Sequence, residues 1–115
     1  MRERGFGAWE GLTGPEIEER FGDALQLWRA GDGPGAEDAE SFEEFFDRVN
    51  DFVGDIVQAH PQEHVLVVSH GGSIRAIHAA ATGLDYVRDH RQIPAVANCA
   101  VARYEAKGGK LTPLD

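Results

Sequence analysis

Between Ser41 and His60 the apolar residues Phe42, Phe45, Phe46, Val49, Phe52, Val53, Ile56 and Val57 recur every three or four positions, with Glu43, Asp47, Arg48, Asp51 and Asp55 mostly opposite. This spacing predicts an amphipathic helix. Ser41 followed three residues later by Glu44 is a capping box at its start, and Pro61 stops it. An aromatic-rich stripe at helical spacing reads as core rather than as a cofactor site. A second helix is predicted where Ile17, Phe21, Leu25 and Trp28 repeat, opened by the Thr13 and Glu16 capping box with Pro15 in the first turn and ending near Ala30-Gly31. Met1 to Leu12 lacks any helical period and reads as a loop. Gly31 to Glu40, acidic and containing Gly and Pro, reads as an exposed, mobile connection.

The pattern changes at Val65. Val65 to Val68 are uninterrupted apolar residues, β-branched at three of the four positions, and they stop at Ser69. Such a run predicts a parallel strand buried on both faces. It leads into His70-Gly71-Gly72 and then a helix from Ser73 to Thr82 that packs Ile74, Ile77 and Ala81 and ends at Gly83. His70 therefore stands at the carboxyl end of a strand, where open α/β sheets bind ligands. A glycine turn into a helix directs N–H groups at an anion such as phosphate. The same residues can also form a plain tight turn with a capping histidine. Leu84 to Gln92 has room for a further turn of helix. Cys99 to Glu105 and Lys110 to Leu114, around Gly108-Gly109, read as a terminal hairpin. The class is α/β, with a shortage of strands: a buried parallel strand needs neighbours, and the census offers only a hairpin beside it.

Length and charge narrow the partners. The 115 residues make one domain, 1–115, and 42% hydrophobic content suffices for a core. Twenty acidic against eleven basic residues, a net charge of −9, argue against nucleic acid or an anionic membrane as partner. No apolar run approaches a membrane span, and Met1-Arg2-Glu3-Arg4 is not followed by a signal-type segment. The single cysteine, Cys99, sits in an apolar strand-like stretch and is expected to be a buried, inert thiol in a cytoplasmic protein.

Several segments resemble one family. Val65-Leu66-Val67-Val68-Ser69-His70-Gly71-Gly72-Ser73-Ile74-Arg75 resembles the second histidine motif of the histidine phosphatase superfamily, also called phosphoglycerate mutase-like. Arg2-Glu3-Arg4-Gly5-Phe6-Gly7-Ala8-Trp9-Glu10-Gly11-Leu12-Thr13 is similar to its acidic motif, Glu40-Ser41-Phe42 to the start of its following long helix, and Asn98-Cys99-Ala100-Val101 to the strand after its last helices. The resemblance implies a three-layer α/β/α domain and phosphomonoester hydrolysis or phosphoryl transfer through phosphohistidine, more phosphatase than mutase, on a phosphorylated small molecule. It implies no metal or organic cofactor. By the same resemblance Glu3 is the proton donor to the leaving oxygen, His70 contacts the transferring phosphoryl group, Arg4 contacts substrate phosphate, and the backbone of Gly71 and Gly72 holds phosphoryl oxygens. Phosphoryl transfer asks mainly for positioning and charge stabilisation, and an alkoxide leaving group needs a proton that a carboxyl group can supply.

One departure limits these expectations. Members of the family open with a strand ending in Arg-His-Gly, whose histidine is the nucleophile, and that tripeptide occurs nowhere in these 115 residues. The chain thus resembles the carboxyl part of such a domain, lacking its first strands, and by itself is expected to be weakly active or inactive. Glu3 stands close to a free end, where order is poor and a solvated carboxylate is the plain alternative. The rival reading is a non-catalytic dimerising or anion-binding remnant of the fold. His60, His64, His78 and His90 read as surface or capping histidines. An unpaired edge along Val65 to Ser69 would favour a homodimer or strand exchange.

Overall fold

A computed structural model of the chain describes residues 1–30, 33 and 35–114. Its elements run α1 (Gly14–Arg29), α2 (Phe42–Ala59), α3 (Gly71–Thr82), α4 (Tyr86–Asp89), β1 (Tyr104–Lys107) and β2 (Lys110–Pro113), with short 3₁₀ turns at Gly7–Trp9 and His90–Gln92. Gly31, Asp32 and Pro34, within the expected mobile connection, lie outside the described residues, as does Asp115.

The predicted caps form. At α1 the Thr13 hydroxyl accepts the Glu16 N–H at 3.3 Å, and the Glu16 carboxylate accepts the Thr13 N–H at 3.1 Å. Hydrogen bonds from the Thr13 main chain and, secondarily, its side chain hold the Glu16 carboxyl below the ordinary glutamate value. The helix kinks at Phe21 (φ −136°, ψ 36°), beside Gly22, a weak helix former. At α2 the Ser41 hydroxyl accepts the Glu44 N–H at 3.0 Å. Along its stripe Phe45 and Val49 are fully buried, as their spacing predicts.

The chain packs as two compact units, Arg4–Phe45 and Met1–Glu3 with everything from Phe46 onward, the division falling inside α2. In the first unit Trp9, Leu25 and Ala36 form a core flanked by Phe6, Ile17, Ala24, Trp28 and Ala39. Trp9 meets Trp28 edge to face, with centroids 5.9 Å apart. In the second, α3 packs against β2 and α4. Ser73, Ala76, Ala79 and Ala81 are its buried residues, and Ile74 and Ile77 are half-buried. Tyr86 is buried and stacks on Phe46 at 5.3 Å. Arg75 donates to the main-chain carbonyls of His90 and Ile93.

Two expectations from the sequence are corrected here. The 65–69 run forms no ladder and is not buried: Val65, Leu66, Val67 and Val68 are 44, 84, 39 and 84% exposed. Among the described residues the only sheet is the antiparallel pair β1–β2, so nothing there supplies the hydrogen-bonded neighbours that a central strand requires. Cys99 is exposed, not buried, and adopts a left-handed backbone (φ 64°). This conformation interrupts an extended chain, and the hairpin accordingly begins at Tyr104 rather than Cys99. Its turn is as expected. Gly108 and Gly109 both have positive φ, 59° and 77°, as a two-residue hairpin loop demands.

Candidate active site

The amino terminus of α3 collects the candidate chemistry. His70 is its N-cap, with extended backbone (φ −122°, ψ 161°), and its carbonyl accepts the Ile74 N–H at 2.9 Å, which starts the helix. Its imidazole makes no capping bond and is exposed. Gly71 and Gly72 form the first turn, where main-chain N–H groups and the positive end of the helix dipole face outward.

Glu3 occupies that end. Its Oε2 accepts the Gly72 N–H at 2.8 Å, a favourable place for a negative charge. The approach is so close that a Cβ built on Gly72 would overlap the Glu3 carboxyl group. A side chain at 72 would therefore push the flexible end of Glu3 off the Gly72 N–H. Glu3 is held from behind as well. Arg48, on α2, donates through Nη1 to the Arg2 carbonyl and through Nη2 to the Glu3 carbonyl, each at 3.0 Å. The Ser73 hydroxyl adds a longer bond to the Arg2 carbonyl, 3.4 Å. A segment expected to be a loose end is thus anchored by main-chain hydrogen bonds to two helices.

Of the residues singled out from the sequence, Glu3, Gly71, Gly72 and His70 fall in one compact unit, and Glu3 and Gly72 touch. Arg4 belongs to the other. It is only 6% exposed, with its guanidinium over the Phe42 ring at 4.2 Å and the Phe6 ring at 5.4 Å, and its Nε donates to the Glu40 carbonyl at 2.8 Å. The sequence pattern places Arg48 only among the polar residues opposite the apolar stripe of α2. Its signal was there to see: it is the one cation on a face otherwise lined by Glu43, Asp47, Asp51 and Asp55. A second polar contact lies further along α3, where His78 Nδ1 and the Tyr104 hydroxyl stand 3.4 Å apart. Burial pushes the Tyr104 phenol above its ordinary value.

This arrangement places a carboxylate, an exposed imidazole and helix-terminal N–H groups along three consecutive residues and one anchored neighbour. Together they can hold an anion and exchange a proton with it. Known proteins are similar to this chain in sequence and fold. The model of the histidine phosphatase superfamily (branch 1) matches residues 1–114. The metal-independent phosphoserine phosphatase of Arabidopsis thaliana is 34% identical over 86 residues, which is 71% of this chain and 35% of the plant protein. The solved structure of YhfR from Bacillus stearothermophilus superposes with a TM-score of 0.82 at 26% identity, covering 97% of this chain and 55% of that one. The chain therefore spans about a third of the plant relative and about half of YhfR.

Proposed function

The chain belongs to the histidine phosphatase superfamily, and on that premise we propose that it carries the acid and phosphate-contacting half of a phosphomonoester hydrolase site. The observation that supports this most is the Glu3 carboxylate seated on the Gly72 N–H, two residues beyond His70. In the proposed reaction His70 contacts the phosphoryl oxygens and stabilises their charge, with help from the Gly71 and Gly72 amides and the helix end. Glu3 protonates the ester oxygen as the P–O bond breaks, so that the product leaves as an alcohol. Water then accepts the phosphoryl group, activated by the same carboxylate, and inorganic phosphate departs. The first acceptor of the phosphoryl group is not assigned to any of these 115 residues. Arg4 is left out of the assignment because its guanidinium is engaged between Phe42 and the Glu40 carbonyl. The name of the plant relative makes O-phosphoserine the first substrate to try.

Turnover by this chain alone is expected to be weak, so binding carries the test. Added phosphate or vanadate should move the NMR signals of the His70 imidazole and the Gly72 amide together, and Glu3→Gln and His70→Ala should each alter the response. Unmoved signals at saturating phosphate, with no phosphate released from an aryl phosphate or O-phosphoserine, would sink the proposal. Robust turnover abolished by His70→Ala would instead make His70 the phosphoryl acceptor. A second reading, an anion-binding module without catalysis, draws on the lack of an Arg-His-Gly tripeptide in the sequence. Binding without hydrolysis, even with the full reading frame expressed, favours it.

A further inference from the structure

We propose that Arg48 is the positioning residue for Glu3. The inference rests on the reading of Glu3 as the acid of the site, but its geometry stands on its own. Arg48 grips the main chain of Arg2 and Glu3, two successive carbonyls at 3.0 Å each. A guanidinium is planar and its donors form a rigid fork, so two bonds to consecutive carbonyls fix the orientation of the peptide between them as well as its position. The Ser73 hydroxyl, on the first turn of α3, bonds the same Arg2 carbonyl at 3.4 Å, which ties the gripped segment to the helix whose end Glu3 must reach. With its Cα placed by these bonds, Glu3 has only its own side-chain torsions left to settle before Oε2 lies 2.8 Å from the Gly72 nitrogen. Misplacement by about 1 Å costs on the order of a hundredfold in rate at sites of this kind, and a segment without regular structure has no internal hydrogen bonds to hold that tolerance.

The surroundings single Arg48 out for the role. The acidic residues of α2, Glu43, Glu44, Asp47, Asp51 and Asp55, can accept hydrogen bonds but cannot donate to a carbonyl when ionised. Arg48 is the one cation of that helix, whose other side-chain donors are the neutral amides of Asn50 and Gln58. A lysine there would keep the charge but not the fork.

The Gly72 amide provides a readout independent of catalysis. In the wild-type chain its NMR shift should follow a carboxylate titration, and Glu3→Gln should remove that step and so assign it to Glu3. Arg48→Ala loses two charge-assisted hydrogen bonds and should lower the docked population of Glu3 on the order of tenfold. The Gly72 step should shrink accordingly, while the Phe46 and Tyr86 ring signals and the hairpin signals stay in place. Arg48→Lys should restore part of the step, which a merely structural contribution to α2 would not predict. Arg48→Gln serves if the alanine variant does not fold. A full Gly72 step in a folded Arg48 variant overturns the proposal even if phosphate binding and hydrolysis are as proposed. A lost step in a chain that neither binds nor hydrolyses phosphate upholds Arg48 and overturns the functional reading alone.

Discussion

β1 carries Tyr, Glu, Ala and Lys, a modest strand sequence, yet it pairs with β2 in a regular antiparallel ladder from Tyr104 opposite Pro113 to Lys107 opposite Lys110. The 65–68 run has four residues of much stronger strand preference and pairs with nothing among the described residues. The difference lies in the delivery of a partner. Gly108 and Gly109 turn the chain back within two residues, at backbone angles that cost glycine nothing. The 65–68 run is flanked in sequence by α2 and α3, and a partner strand must come from far away. Its exposures, 44, 84, 39 and 84%, nonetheless alternate with the period of a strand. That alternation is a local property of these residues, whereas a ladder is not.

Four measurements test this contrast. The largest effect is expected on the paired side. Gly109→Val forces a β-branched residue to φ 77° and should destabilise the hairpin by about 2 kcal/mol, seen as loss of cross-strand NOEs between Ala106 and Leu111. Retained NOEs would show that the turn is not what delivers the partner. Next is the assembly of the unpaired side. An open apolar edge with no Lys, Pro or bulge to protect it should pair with another chain, so light scattering at high micromolar concentration should report dimers or larger species. Leu66→Lys should return the monomer, and a wild-type monomer at that concentration would refute the idea.

Alkaline pH acts on the hairpin through Tyr104. Burial raises its folded value above the unfolded one, so between about pH 10, the unfolded value, and the higher folded value the unfolded chain has lost a proton that the folded chain keeps. Stability therefore falls as pH rises through that window and is unaffected below it. Tyr104→Phe should abolish this alkaline loss, and an unchanged profile would mean that another group causes it. The smallest effect is expected from the same Leu66→Lys variant in denaturant. At 84% exposure its cost should stay within about 0.5 kcal/mol, whereas a buried strand position would lose several times more.

The parts of the fold that could be read from the sequence are those whose causes are local. Thr13 with Glu16, Ser41 with its stripe, Gly83 after α3 and Gly108-Gly109 each act on neighbours within a few residues, and each behaves as its spacing implies. The site was legible in part. His70 and its glycines stand out as a motif, and Glu3 through family resemblance, but the bond that joins them spans 69 positions. Arg48 stands out in the sequence as the one cation of its helix face, but what it grips is not legible there: its acceptors are main-chain oxygens 45 and 46 residues away, and a carbonyl looks the same in every residue. The exposure of the 65–68 run is not legible in its residues, because residue type reports what a segment can pack against, not whether anything is there.

The overlap between a Cβ at position 72 and the Glu3 carboxyl also sets a rule for how this chain can vary. The two positions are coupled: alanine or serine at 72 can be accommodated by a swing of the flexible Glu3 side chain, but only with the loss of its bond to the N–H of 72. In a library randomised at both sites, substitutions at 72 should cost most in backgrounds that keep a glutamate at 3 and least in those that have already lost it. A lineage that gave up this contact would show it first as a relaxed glycine.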